Sequence, residues 1–109
     1  MTPDPETAWT IKAVSARAQR EWDEANATEP QLMAALRERL RLRPLDRSDN
    51  PNRTHRLRPP IDSKKVDGQK LPQWQHEITG AGRVRDCPDK VTRTVWVTMV
   101  TLSHPSETR

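Results

Sequence analysis

The sequence predicts an α+β fold in the order β-α-α-β-β-β: an N-terminal strand, an antiparallel helical hairpin, then a three-stranded antiparallel sheet. Three features predict it. Apolar side chains recur at helical spacing between Ala16 and Arg43, the period changes to two from Leu71 onward, and a proline- and arginine-rich stretch separates the two regimes.

Taken in order, Met1 to Thr7 holds two prolines and two acids and is expected to be a flexible end. Trp9 to Val14 alternates with period two and predicts a strand. Ser15 is placed to cap a first helix over Ala16–Ala25, with Ala18, Trp22 and Ala25 on its apolar side. Thr28-Glu29-Pro30-Gln31 has the form of a capping box and predicts a second helix start. Leu32, Met33, Leu36 and Leu40 form its apolar stripe, arginines at 37, 39, 41 and 43 line its last turns, and Pro44 ends it. Residues 44–70 predict one long basic loop, a length that in a small domain points to function or disorder.

Beyond the loop, Trp74, His76 and Ile78 alternate with Gln75, Glu77 and Thr79, and Gly80-Ala81-Gly82 signals a turn. Arg83 to Cys87 predicts a second strand and Pro88-Asp89-Lys90 the next turn. Thr94 to Leu102 is the strongest strand, apolar or β-branched on both sides as a central strand should be. His76, Trp74, Trp96 and Cys87 are read as packed, structural residues. The whole is expected to be one domain over 8–105, with 106–109 a flexible C-terminus.

With 109 residues, 32 % apolar and 31 % charged, the chain can bury only a modest core. Its net charge of +4 is unevenly spread. Residues 1–36 carry three basic and six acidic side chains, residues 37–72 eleven and five. A segment of net +6 favours a polyanionic partner. The single cysteine excludes an internal disulfide and fits a reducing compartment. No apolar run is long enough for a signal peptide or a membrane span, so a cytoplasmic location and no membrane partner are expected.

Several ordered elements resemble the RelE/ParE-like toxin superfamily. They are His55-Arg56-Leu57, a strand bearing Trp74, the turn Thr79-Gly80-Ala81-Gly82 followed by Arg83, the acidic turn Pro88-Asp89-Lys90, and Ser103-His104-Pro105 after the last strand. The closest flavour is the actinobacterial branch with Trp-Gln-His-Glu, here residues 74–77, and a terminal His-Pro. The resemblance covers roughly Trp9 to Pro105. It implies a type II toxin held in check by a cognate antitoxin, whose acidic C-terminal segment would wrap the helices. It also implies an endoribonuclease that cuts mRNA, with the ribosome's help, and so blocks translation. The chain departs from the family at Arg85-Asp86, where many relatives carry an aromatic or aliphatic pair, in having no tyrosine, and in a longer segment over 59–70.

Cleavage of RNA by its own 2′-hydroxyl needs a base, a cation at the phosphate and an acid for the departing 5′ oxygen. Arginine suits the phosphate because its fork holds two oxygens and stays charged. Histidine suits proton transfer near neutrality. Arg83 is therefore the candidate phosphate clamp, His104 the general acid and Glu77 a candidate base. His55, Arg56, Lys64, Lys65, Arg37 and Arg41 are candidate RNA contacts. No Cys/His cluster has metal spacing, so neither a metal nor another cofactor is expected. Two other readings stay open: a ParE-like toxin acting on DNA gyrase, and a non-catalytic basic nucleic-acid-binding module.

Overall fold

The hydroxyl of Ser15 accepts from the Ala18 N–H at 3.1 Å and opens the first helix where the sequence places it. In this computed structural model, which describes residues 8–45 and 54–102, strand β1 (Thr10–Ala13) leads into α1 (Ala16–Thr28) and α2 (Pro30–Leu42). The first helix runs three residues past its expected end and absorbs Thr28. The predicted capping box therefore does not form. Glu29 alone joins the helices, giving its N–H to Ala25 O at 2.8 Å and accepting from Met33 N at 3.0 Å. Pro30 at the first helical position needs no partner for a missing N–H. Met33, Leu36 and Leu40 are buried as expected, but Leu32, at the rim of the stripe, is 44 % exposed.

The sheet is larger than predicted. Five strands lie in the order β1-β7-β6-β5-β2, where β2 is Thr54–Arg56, β5 Trp74–Glu77, β6 Arg83–Asp89 and β7 Thr94–Thr101. It is mixed: β1 runs parallel to β7 and every other pairing is antiparallel. A three-stranded antiparallel sheet is thus corrected to five strands, because β1 joins the edge of β7 and the His55 element pairs with β5. The turn expected at 88–90 lies instead at 90–93. Pro88 continues β6, which is possible because β5 pairs with β6 only as far as Asp86, so no β5 acceptor faces the missing N–H. Asp89 stabilises the turn, its Oδ1 accepting from Val91 N at 3.0 Å.

The predicted loop over 44–70 also contains a hairpin. Strands β3 (Ser63–Val66) and β4 (Gln69–Pro72) form a separate two-stranded sheet. Asp67 (φ +51°) and Gly68 (φ +81°) turn it, both in the left-handed region that a two-residue hairpin turn of this twist demands. Gln73 ties this insertion down. Its N–H goes to Asp62 O at 3.0 Å, its side-chain Nε2 to Ile61 O at 2.9 Å, and its Oε1 accepts from Thr98 Oγ1 at 2.6 Å.

One core lies between the helices and the sheet, built on Ala25, Met33, Leu40, Val84, Val95 and Val97. A smaller one lies on the other face of the sheet, where Val66 and Leu71 of the hairpin cover Cys87, with Val14 and Trp96 at its border. Trp74 and Trp96 are half-buried, less enclosed than expected of core residues. Beyond Val97 the outer edge of β7 has no β1 partner, and Glu21 of α1 takes its place by accepting from Val100 N at 3.1 Å.

Cys87 is fully buried, and burial followed by the neighbouring Asp86 carboxylate pushes its thiol from an ordinary 9.0 up to about 12. The folded state then keeps a proton that the unfolded chain gives up. Stability is unaffected below pH 9 and falls between pH 9 and about 12. Urea unfolding at pH 8 and pH 10.5 should show the wild type losing stability relative to Cys87→Ala at the higher pH. Equal losses in the two proteins would refute the assignment.

Candidate nucleic-acid interface

Strand register sorts the side chains into two faces. Thr54, His76, Val84 and Val100 stand in one cross-strand row and are buried under the helices. The next row, His55, Gln75, Arg85 and Met99, points the other way, as does the row of Glu77, Arg83 and Thr101. All seven residues of these two rows are half-buried. The hairpin roofs this second face at its Cys87 end and leaves the two polar rows open. The result is a walled surface rich in titratable groups.

Arg83 opens β6 directly opposite Glu77 and Thr101. Its Nη1 donates to the carbonyls of Gly82 at 2.9 Å, Gly80 at 3.4 Å and Thr79 at 3.5 Å, anchoring the guanidinium to the turn. That turn requires glycine at 82. The Thr79 hydroxyl accepts from Gly82 N at 2.6 Å, and a Cβ on Gly82 would lie 2.7 Å from the same oxygen. The structure therefore brings Glu77 and Arg83 together and places His55 one row away. His104 lies outside the described residues, as do the expected flexible ends at 1–7 and 106–109; the last described strand ends at Thr101, three positions before His104.

The remaining candidates divide. Lys64 and Lys65 are exposed on β3, and Lys64 lines a cavity beside the open face. Arg56 is exposed, with its Nε donating to Asp62 O at 3.1 Å. Arg37 and Arg41 sit on α2, where with Trp9 and Trp22 they border a shallow depression beside β1. They belong to the helical layer and do not join the sheet residues. Arg85 and Gln75, which the sequence reading had not singled out as site residues, stand in the open face, with Arg85 Nε donating to Gln75 Oε1 at 3.0 Å. The period of two from Arg83 was the signal that could have found Arg85.

A second feature lies under the helices. Arg39 Nη2 donates to Thr54 Oγ1 at 3.0 Å and to His76 Nδ1 at 3.2 Å, while His76 Nε2 meets Asp86 Oδ1 at 3.0 Å. A guanidinium can only donate, so Nδ1 accepts and Nε2 carries the proton that Asp86 receives. His76 thus bridges a cation and an anion from a packed position, as the sequence reading expected. Arg39, Thr54 and His76 border a cavity of about 210 Å³ between α2 and β5, which Glu77 also lines. Among the described residues, no group of three or more His, Cys, Asp or Glu is gathered so as to hold a metal, and no helix is long and apolar enough to cross a membrane.

No protein-family model and no curated protein matches the chain.

Proposed function

We propose that the chain is a RelE-like toxin of a type II toxin–antitoxin system: a metal-independent endoribonuclease that cuts mRNA, helped by the ribosome, in the cytoplasm. A cognate antitoxin would restrain it. The observation that carries this reading is the transverse row of Glu77, Arg83 and Thr101 on the open face. It sets a carboxylate strand against a guanidinium strand at the end of β7 from which the chain runs on to His104. In this reading Glu77 takes the proton from the 2′-hydroxyl, which attacks the adjacent phosphorus. Arg83 holds the phosphate oxygens as charge builds, and His104 protonates the departing 5′ oxygen. The products are a 2′,3′-cyclic phosphate and a free 5′-hydroxyl. The order of a strand, two helices and an antiparallel meander fits a RelE-like arrangement, enlarged by the β3–β4 hairpin.

The second reading, a non-catalytic basic RNA-binding module, draws on one feature: Arg83 Nη1 is already engaged by backbone carbonyls. Inducible expression in bacteria separates the two. Growth arrest with new mRNA 5′ ends by primer extension is expected for the wild type, and Glu77→Gln and His104→Ala should lose both. Arrest with intact mRNA would transfer the target to gyrase, and no arrest would leave the binding module.

A further inference from the structure

A cavity of about 350 Å³ opens beside the polar face, between the start of α1, strand β3 and the β6–β7 pair. Arg17, Lys64 and Arg85 reach it from three different elements. The one acidic residue among them, Glu21, has both carboxylate oxygens engaged: Oε1 by Val100 N at 3.1 Å and Oε2 by Arg17 Nε at 3.2 Å. Three cations against one anion leave the cavity with a net charge of +2. Lys64 has no ion pair among the described residues, and Gln75 holds Arg85 only through Nε, leaving the fork of its guanidinium for another acceptor. Lys64 and Arg85, which have no ion pair among the described residues, converge on the cavity from separate elements beside the Arg17–Glu21 pair and call for an anion.

Arg85 follows Arg83 by two residues on the same face of β6, so their Cα atoms are about 6.8 Å apart at the rise of a strand. That distance is close to the phosphate repeat of an extended polynucleotide. We infer that Arg85, Lys64 and Arg17 form a second phosphate subsite for single-stranded RNA, one nucleotide step along from Arg83. The inference rests on reading the open face as an RNA surface. It assigns a role to Arg85, where this chain departs from the family it resembles, and to Arg17, whose side chain is 82 % exposed. The hairpin carrying Lys64 then acts as the wall that guides the strand past Arg85.

The test uses a fluorescein-labelled, fully 2′-O-methylated single-stranded oligoribonucleotide, which binds but offers no 2′ nucleophile. Anisotropy titrations between 50 and 300 mM NaCl report the slope of log K against log salt. Each lost contact to single-stranded phosphate should lower its magnitude by about 0.7, so Arg85→Gln should remove about 0.7 and Arg85→Gln/Lys64→Gln about 1.4. Arg17→Gln, at an exposed position, supplies a third variant that leaves the strands untouched. Slopes unchanged in all three folded variants, or no binding by the wild type, overturn the subsite. Because the probe cannot be cut, the nuclease reading fails separately: lowered slopes without cleavage of mRNA in a cell-free translation system leave the subsite standing and refute catalysis.

Discussion

Replacing Asp86 with alanine is expected to lower the folding stability by about 3–5 kcal/mol, the cost of breaking one side of a buried charged network. The side chains of His76 and Asp86 are 2 % and 0 % exposed, so both groups depend on partners inside the protein. Without the carboxylate, the Nε2 proton of His76 has no acceptor and the Arg39 charge has no anion across the imidazole. A domain of this size has about 5–15 kcal/mol in all, so the variant should lose a large share of its stability. Urea unfolding of the purified variant measures it, and a loss below about 1 kcal/mol would show that the network contributes little. The double variant His76→Leu/Asp86→Leu should be less damaged than Asp86→Ala, since it strands no imidazole N–H and Arg39 keeps its hydrogen bond to Thr54.

The same network shows what the sequence could and could not reveal. Period two places His76 on the covered face, and that was legible. Asp86 read only as a departure from the resembling family, because its partner is fixed by the register of the β5–β6 hairpin. The turn over Thr79–Gly82 sets Trp74 opposite Asp86 and so makes His76 its diagonal neighbour. Arg39 was hidden differently. It sits among arginines at 37, 41 and 43 that share its charge, and only the docking angle of α2 selects it to reach Thr54. Such choices depend on tertiary packing, which composition and spacing do not carry.

The loop over 44–70 teaches the opposite lesson. Val66-Asp67-Gly68-Gln69 contains the strongest short hairpin signal, an Asp-Gly pair between potential strands, yet the flanks Ser63-Lys64-Lys65 and Gln69-Lys70 are too polar to read as strands. What makes them strands is the small core of Val66 and Leu71 against Cys87, a contact about twenty residues away in sequence. Helix boundaries failed for a related reason. Thr28 is a good cap by its chemistry, but continuing α1 satisfies the Glu29 N–H through Ala25 O, and Pro30 starts α2 with no capping side chain. The open polar face, by contrast, follows from period two alone once the strands are aligned.

Arg83→Ala is expected to reduce the rate of mRNA cleavage, measured with purified protein in a cell-free translation system, by about 100- to 1,000-fold. That is the usual cost of removing one preorganised donor from a developing anion. Nη1 is tied to the turn carbonyls, which holds the plane of the guanidinium while leaving Nη2 and Nε for phosphate oxygens. Arg83→Lys keeps the charge but loses this fork, so it should recover no more than about a tenth of the wild-type rate. The two roles of Arg83 give different signatures. If it serves only to brace the turn, Arg83→Ala should lose thermal stability and cleave in proportion to the fraction still folded. If it clamps the phosphate, the folded variant should itself be defective, with its loss appearing in the single-turnover rate at saturating protein. A folded Arg83→Ala protein that cleaves at the wild-type rate would remove Arg83 from the chemistry and leave it as the brace of the 79–82 turn.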